Sequence, residues 1–235
     1  MPSPPPKTIT EQYLILGEGD GDEAFFRYFC DVRHIAGFGY DAVSGNKDFE
    51  RYLRAIASLS PAPRSVLIVA DNDETPDANF KNVQKQIDKA KYPQPSAPLR
   101  RATKPEFPDI VVLMLPYPSI GNSSHGALET LLLPAAERHL PGQTLCVDQY
   151  SRCIYQLPPQ WTRTESDKMR LRCLLSGSSN TDANIALRHA LKPLKNLIPL
   201  TDPLFDPIEQ LLTHFARWMD SPQANWDDYK TANGL

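Results

Sequence analysis

Apolar residues in this chain fall into short unbroken runs separated by segments in which they recur three or four positions apart. The runs lie at 12–17 (QYLILG), more weakly at 38–43 (FGYDAV), at 66–70 (VLIVA) and at 109–115 (DIVVLML). Continuous runs of this length mark strands buried on both faces, the usual state of a parallel sheet. Between them lie amphipathic stripes: Phe25, Tyr28, Phe29, Val32 and Ile35; then Phe49, Tyr52, Leu53 and Ile56; then Leu128, Leu131 and Leu132. Each has the one-face spacing of a helix. Residues 79–91 predict a polar surface helix, and 92–108, with five prolines, a loop.

Beyond residue 136 the pattern changes. Residues 139–159 carry few helix signals, and LCVDQY and CIYQL within them suit strand or loop. Helices are predicted at 165–175, 183–197 and 207–219, the last with Ile208, Leu211, Leu212, Phe215 and Met219 on one face. Strands alternating with helices imply an α/β fold: a parallel, Rossmann-like sheet flanked by helices, with right-handed crossovers and further C-terminal helices packed on it. The expected divisions are a disordered tail at 1–11, an α/β core at 12–136, a mostly helical extension of the same domain at 137–220, and a loose tail at 221–235.

Composition narrows the classes. A chain of 235 residues can bury a full core as one large domain or two small ones. Its net charge of -3 gives no global basic signature, yet leaves open a nuclease that meets its substrate through bound cations. The four cysteines form no CxxC pair and no zinc-finger spacing; Cys30 and Cys173 fall in apolar helical patterns and read as buried free thiols. No run approaches the ~20 apolar residues needed to span a bilayer, and no secretory signal is visible. A cytoplasmic protein with no membrane partner is the expectation.

Candidate chemistry gathers where the runs end. The third run passes directly into Asp71-Asn72-Asp73, and two carboxylates at that spacing can reach one hard cation. Open α/β sheets bind ligands at the carboxyl ends of their strands. The plain alternative is a turn followed by a helix cap, for which Asp and Asn are common. The first run ends at Glu18, followed by Gly19-Asp20-Gly21-Asp22-Glu23. Asp20 and Glu23 fit an N-cap and N3 pair, whereas Glu18 and Asp22 are left without a capping role. Glu129 falls in the first turn of the helix after the fourth run, as a dipole partner or a further metal ligand. The Ser44–Lys47 turn opens a helix and could bind an anion through backbone N–H groups and Lys47. Arg100, Arg101 and Lys104 in the proline-rich loop are either solvated charge or face a polyanion.

With these motifs in place the chain resembles the Toprim superfamily, closest to stand-alone OLD-nuclease-like and related Toprim-like proteins. Glu18-Gly19-Asp20-Gly21-Asp22 is similar to that family's E-G-x-x-D element, and Asp71-Asn72-Asp73 to its D-x-D. Gly126–Glu129 resembles the later acidic element, Lys168 its C-terminal lysine, and Ser44–Lys47 its Gly-Lys turn. The resemblance spans about residues 12–220 and is strongest through 133; no ATPase module, zinc finger or topoisomerase tyrosine domain accompanies it.

The resemblance implies Mg²⁺- or Mn²⁺-dependent phosphoryl chemistry on a DNA or RNA phosphodiester. Glu18, Asp22, Asp71, Asp73 and Glu129 would supply metal ligands, with Glu18 also a general base, and Lys47 or Lys168 would offset charge on the phosphate. Two other functions share these residues: a non-catalytic metal- or nucleic-acid-binding module acting with a partner protein, and a small-molecule phosphatase or nucleotide hydrolase. A receiver-type fold would also place acids on strand ends. The E-G-x-x-D segment and the extra C-terminal helices disfavour it. The metal reading requires the strands ending at Glu18 and Asp71 to be neighbours.

Overall fold

The computed structural model describes residues 10–43, 49–57, 59, 61–118, 125–154, 161–179 and 182–235. The expected Ser44–Lys47 turn, including Lys47, and most of the N-terminal tail lie outside them. Strands form at Tyr13–Gly17 (β1), Phe38–Ala42 (β2), Ser65–Asp71 (β3) and Asp109–Leu115 (β4). They pair in the order β2-β1-β3-β4, every pair parallel. The expected α/β class, a parallel sheet between helices with more helices after it, is what the chain adopts.

Side-chain alternation divides the runs cleanly. Leu14, Leu16, Val66, Ile68, Ile110 and Val112 face one side, against Phe49 and Leu53 of the helix at Phe49–Ile56 and against Val83 and Ile87 of the helix at Pro76–Lys89. Ile15, Leu67, Val69, Val111 and Leu113 face the other, against Phe25 and Phe29 of Asp20–Arg33 and against the C-terminal helices. In chain order these three helices are α1 (Asp20–Arg33), α2 (Phe49–Ile56) and α3 (Pro76–Lys89). The chain steps outward from β1 to β2, then reverses past β1 to β3. With right-handed crossovers a reversal of direction changes the face, so α1 lies on one side and α2 and α3 on the other. That reversal is a topological switch point, between β1 and β3.

The remaining helices are α4 (Leu128–His139), α5 (Pro141–Ile154), α6 (Arg163–Ser178), the single turn α7 (Leu187–Ala190), α8 (Asp206–Asp220) and α9 (Trp226–Asn233). Several differ from the pattern-based expectation. The 139–159 stretch, expected as strand or loop, contains α5. Its buried positions are Val147 and Ser151, while Leu145 and Tyr150 stay 66% and 51% exposed on the outer face. The helix is held from α6 instead, by Arg170 reaching Asp148 of α5 and Glu137 of α4. Residues 183–197, expected as one helix, hold only α7 and a 3₁₀ turn at Pro193–Lys195, because Pro193 cannot continue a helix. Helix α3 starts at Pro76 and buries Phe80, Val83 and Ile87, so it is more than a polar surface helix.

The expected loose tail at 221–235 is instead ordered by α9. Asn225 caps it, its carboxamide oxygen accepting from the Asp227 N–H at 2.7 Å. Trp226 is fully buried, 5.5 Å from Trp218 and stacked on Tyr229. The proline-rich loop is fastened here too. The Arg101 guanidinium donates to the Met219 and Ser221 carbonyls at 2.5 and 2.8 Å, satisfying the end of α8. Lys104 donates to the Lys91 carbonyl and lies over the Phe107 ring. Two of the three basic residues there are therefore engaged by the fold itself. Cys30 is buried as expected, Cys173 is half-buried, and Cys146 and Cys153 are exposed; all are free thiols. Among the described residues no helix is long and apolar enough to cross a membrane.

Removing the Trp226 ring leaves a cavity between α8, α9 and the proline-rich loop. Trp226→Ala is expected to lower unfolding stability by about 3–5 kcal/mol, measured by urea titration. A midpoint equal to wild type would mean that the C-terminal segment contributes nothing to the core.

Candidate functional site

β1 and β3 pair with Gly17 opposite Val69, so the residues following them emerge side by side. Glu18 and Asp71 meet there, with Glu18 Oε2 accepting the Asp71 N–H at 3.3 Å. The sharp exit from β1 requires a glycine. A Cβ on Gly17 would stand 2.6 Å from the Asp22 Cβ, closer than any such contact tolerates. Helix α1 then starts one residue earlier than the sequence suggests. Gly19 is its N-cap, and Asp22, not Glu23, is the N3 acid that accepts the cap N–H, at 2.9 Å. Asp22 thus has the capping role the sequence reading assigned to its neighbours.

Helix α4 reaches the same corner by a different device. Asp73 takes a left-handed backbone (φ +44°) and pairs with Gly126, its N–H donating to the Gly126 carbonyl at 2.6 Å and the Gly126 N–H donating back at 2.9 Å. Gly126 itself has φ +131°, and a Cβ there would collide with Thr130. This two-way bridge sets the start of α4 against the end of β3. The Leu128 N–H then donates to Asp71 Oδ1 at 3.0 Å, and Glu129 follows in the first turn.

Glu18, Asp22, Asp71 and Glu129 line one open cleft of about 540 Å³, with Lys168 of α6 on its wall and Leu187 of α7 at its rim. Asp73 stands to the side: it does not line the cleft, but its carboxylate lies 3.6 Å from the Lys168 ammonium. His125 is exposed and does not line the cleft either. Of the sequence-nominated residues, the structure brings together Glu18, Asp22, Asp71, Glu129 and Lys168, keeps Asp73 as a neighbour, and does not describe Lys47. Among the described residues no three His, Cys, Asp or Glu side chains form a ready-made metal cage. The carboxylates share a cleft while Asp22 and Asp71 remain turned to backbone N–H groups. Gathering them on an ion requires side-chain rotation, and a common cleft is compatible with that.

The electrostatics of the corner follow from burial and crowding. Burial, the Glu18 charge and the Glu129 charge push the Asp22 carboxyl up to about 7, against the opposing hydrogen bond from Gly19. Asp71 is raised well above its ordinary range by burial first and then by Asp22, Glu18 and Glu129, with Lys168 opposing. Glu18 is raised by burial and Asp73, against the Asp71 N–H and Lys168. Burial alone would lower the Lys168 ammonium, but Glu129, Asp71 and Asp73 outweigh it and hold it above its usual value. One ammonium faces more negative charge than it can neutralise.

Sequence reasoning missed two participants. Glu74 accepts the Thr164 N–H at 2.8 Å, tying the start of α6 to the end of β3 and so placing Lys168. Its partner is distant in the chain, and no short-range signal marks it. Leu187 closes the rim from a segment expected to be a long helix.

A family described as "Protein of unknown function (DUF3226)" matches residues 12–221. The chain belongs to this family. No curated protein matches this DUF3226 chain. Among solved structures it is similar to the C-terminal region of the Xanthomonas campestris pv. campestris OLD protein. One structure of that region is 14% identical, covers 89% of this chain and 98% of its own, and has a TM-score of 0.40. A second is 15% identical, with coverages of 90% and 99% and a TM-score of 0.39. Superposition this loose bears on neither chemistry nor substrate.

Because Asp22 is harder to ionise folded than unfolded, the native state binds more protons than the unfolded state between the ordinary Asp range and about pH 7. The metal-free DUF3226 protein is therefore expected to lose stability as pH rises through that window. The limiting slope is about 1.4 kcal/mol per pH unit for one group. Asp22→Asn is expected to flatten the dependence and to stabilise the protein at pH 8. Melting temperatures of both proteins from pH 5 to 8 check this; parallel profiles would contradict it.

Proposed function

We propose that this DUF3226 chain is a Toprim-type enzyme of divalent-metal-dependent phosphoryl transfer, a nuclease hydrolysing a phosphodiester of DNA or RNA. The observation that carries the reading is the shared cleft at the β1/β3 switch point, lined by Glu18, Asp22, Asp71, Glu129 and Lys168. Toprim membership is supported by the E-G-x-x-D and D-x-D elements at those two strand ends.

Mg²⁺ or Mn²⁺ fits the donor set. The lining acids offer hard oxygen ligands, and their mutual repulsion, only partly offset by Lys168, is what a bound cation relieves. Asp71, Asp22 and Glu129, which line the cleft, would hold it, with Asp73 a neighbouring carboxylate. When bound, such a cation polarises phosphoryl oxygens and lowers the acidity threshold of coordinated water. Glu18 Oε2 is engaged by the Asp71 N–H, which leaves Oε1 to take the proton from an attacking water. Burial makes this carboxyl harder to ionise than usual and so a better proton acceptor, as a general base needs. The Lys168 ammonium offsets negative charge on the phosphate as the new P–O bond forms and the ester oxygen departs.

A second reading keeps the same residues without turnover. Asp22 and Asp71 already accept backbone N–H groups, so they also serve to fix the starts of α1 and α4. A metal- or nucleic-acid-binding module acting with a partner protein needs no more than that.

Cleavage of end-labelled DNA and RNA in Mn²⁺ or Mg²⁺ separates the readings. Asp71→Asn keeps the acceptor for the Leu128 N–H and is expected to cut the rate ~10²-fold or more, with weakened Mn²⁺ binding by calorimetry. Equal rates in wild type and variant would overturn the assignment, and metal binding without cleavage would favour the module. Turnover confined to nucleotides or phosphomonoesters would reassign the cleft to a small-molecule hydrolase.

A further inference from the structure

A second cavity of about 430 Å³ adjoins the carboxylate cleft, and Glu129 and Leu187 line both. Its chemistry is different. Leu171 and Leu175 of α6 form an apolar floor, with Ile185 and Leu187 from the segment entering α7. The polar lining is Arg172 and Ser176 of α6, Asn184 and the shared Glu129, with Arg172 and Asn184 exposed at the mouth. The volume is within the range of pockets that take small ligands, ~300–1,000 Å³. An apolar slot with a few polar groups at one end suits a flat ring with a hydrogen-bonding edge.

The placement of Arg172 is the second observation. Its helical neighbour Arg170 is paired with Glu137 and Asp148, and Arg188 of α7 with Asp20. Arg172 is exposed and, among the described residues, forms no ion pair or hydrogen bond. A guanidinium so placed can stack on a base or pair with a backbone phosphate.

We propose that this cavity is a nucleobase subsite. It takes one unstacked base of a single strand whose adjacent phosphate lies in the carboxylate cleft, with Arg172 at the base edge or the next phosphate. The inference rests on the nuclease reading and specifies its substrate: the preferred nucleic acid is single-stranded, because a base held in a duplex cannot enter the slot. Glu129 and Leu187 separate the ring from the reacting phosphate, which matches the order of base and phosphate along a nucleotide.

The test is equilibrium binding in Ca²⁺, by fluorescence anisotropy, of three labelled DNA probes of equal length. They are a single strand, the same strand with abasic spacers at every position, and the duplex. Wild type is expected to bind the single strand about tenfold more tightly than the abasic strand or the duplex, the size of one base-stacking contact. Arg172→Ala, on an exposed position, is expected to lose most of that preference while keeping its fold and its Mn²⁺ affinity. A strand carrying 4-thiothymine is expected to photocrosslink within residues 171–187. Equal affinity for all three probes, or crosslinks only outside that stretch, would overturn the subsite and leave the nuclease reading standing. Absence of binding to every probe would count against both.

Discussion

Parallel pairing of β1 with β3 is the constraint on which the rest of the molecule depends. It places Gly17 beside Val69, so the chain leaving β1 and the chain leaving β3 emerge into the same corner. β1 is buried throughout and β3 up to Ala70, so any side chain at their ends begins life partly desolvated. Leaving Glu18 and Asp71 there costs free energy unless something compensates. The compensation comes from the backbone: the Asp71, Gly19 and Leu128 N–H groups each donate to a carboxylate of the cluster. These same contacts orient the first turns of α1 and α4. The acids therefore help to build the corner that crowds them.

The compensation is incomplete. Burial first, and then neighbouring carboxylate charge that the N–H donors and one ammonium do not offset, leave Asp22 and Asp71 both harder to ionise than usual. A purely structural cap would gain nothing from that crowding, since a single Asp or Asn satisfies a helix N-terminus equally well. Clusters of raised carboxylates in a cleft recur where a protein must accept a cation or move a proton. Lys168 fits the same logic. It is brought from α6, far along the chain, and is fixed by Glu74 at the start of that helix.

The parts of this arrangement that could be read from sequence were those written in local pattern. The strands at 66–70 and 109–115 are uninterrupted apolar runs, and the helix stripe from Phe25 to Ile35 has one period and one face. Glu18 and Asp71 stood out because acids ended runs that had to be buried. What escaped was written in long-range contacts. Helix α5 keeps Leu145 and Tyr150 outside and is held by Arg170, so its own periodicity misleads. The C-terminal segment looks polar, yet one residue, Trp226, anchors it beside Trp218. The α1 cap was displaced by one residue because the Gly17 turn brings Asp22, not Glu23, back to the cap N–H.

The bridge between Asp73 and Gly126 shows why the D-x-D spacing matters beyond its two charges. Asp71 belongs to the strand and points into the cleft, whereas Asp73 has left it and adopts a backbone that few non-glycine residues favour. That conformation turns its N–H and carbonyl toward Gly126, and so fixes where α4, with Glu129, begins. A second acid at this position does two jobs that one at the strand end cannot. Its backbone sets the position of the fourth carboxylate, and its side chain pairs with Lys168 on the cleft wall. The intervening Asn72 is buried, and its N–H donates to the Leu115 carbonyl at the end of β4, so the three-residue unit ties two strands and two helices to one point. The backbone therefore sets where each acid begins, and side-chain rotation is what remains to bring the carboxylates together.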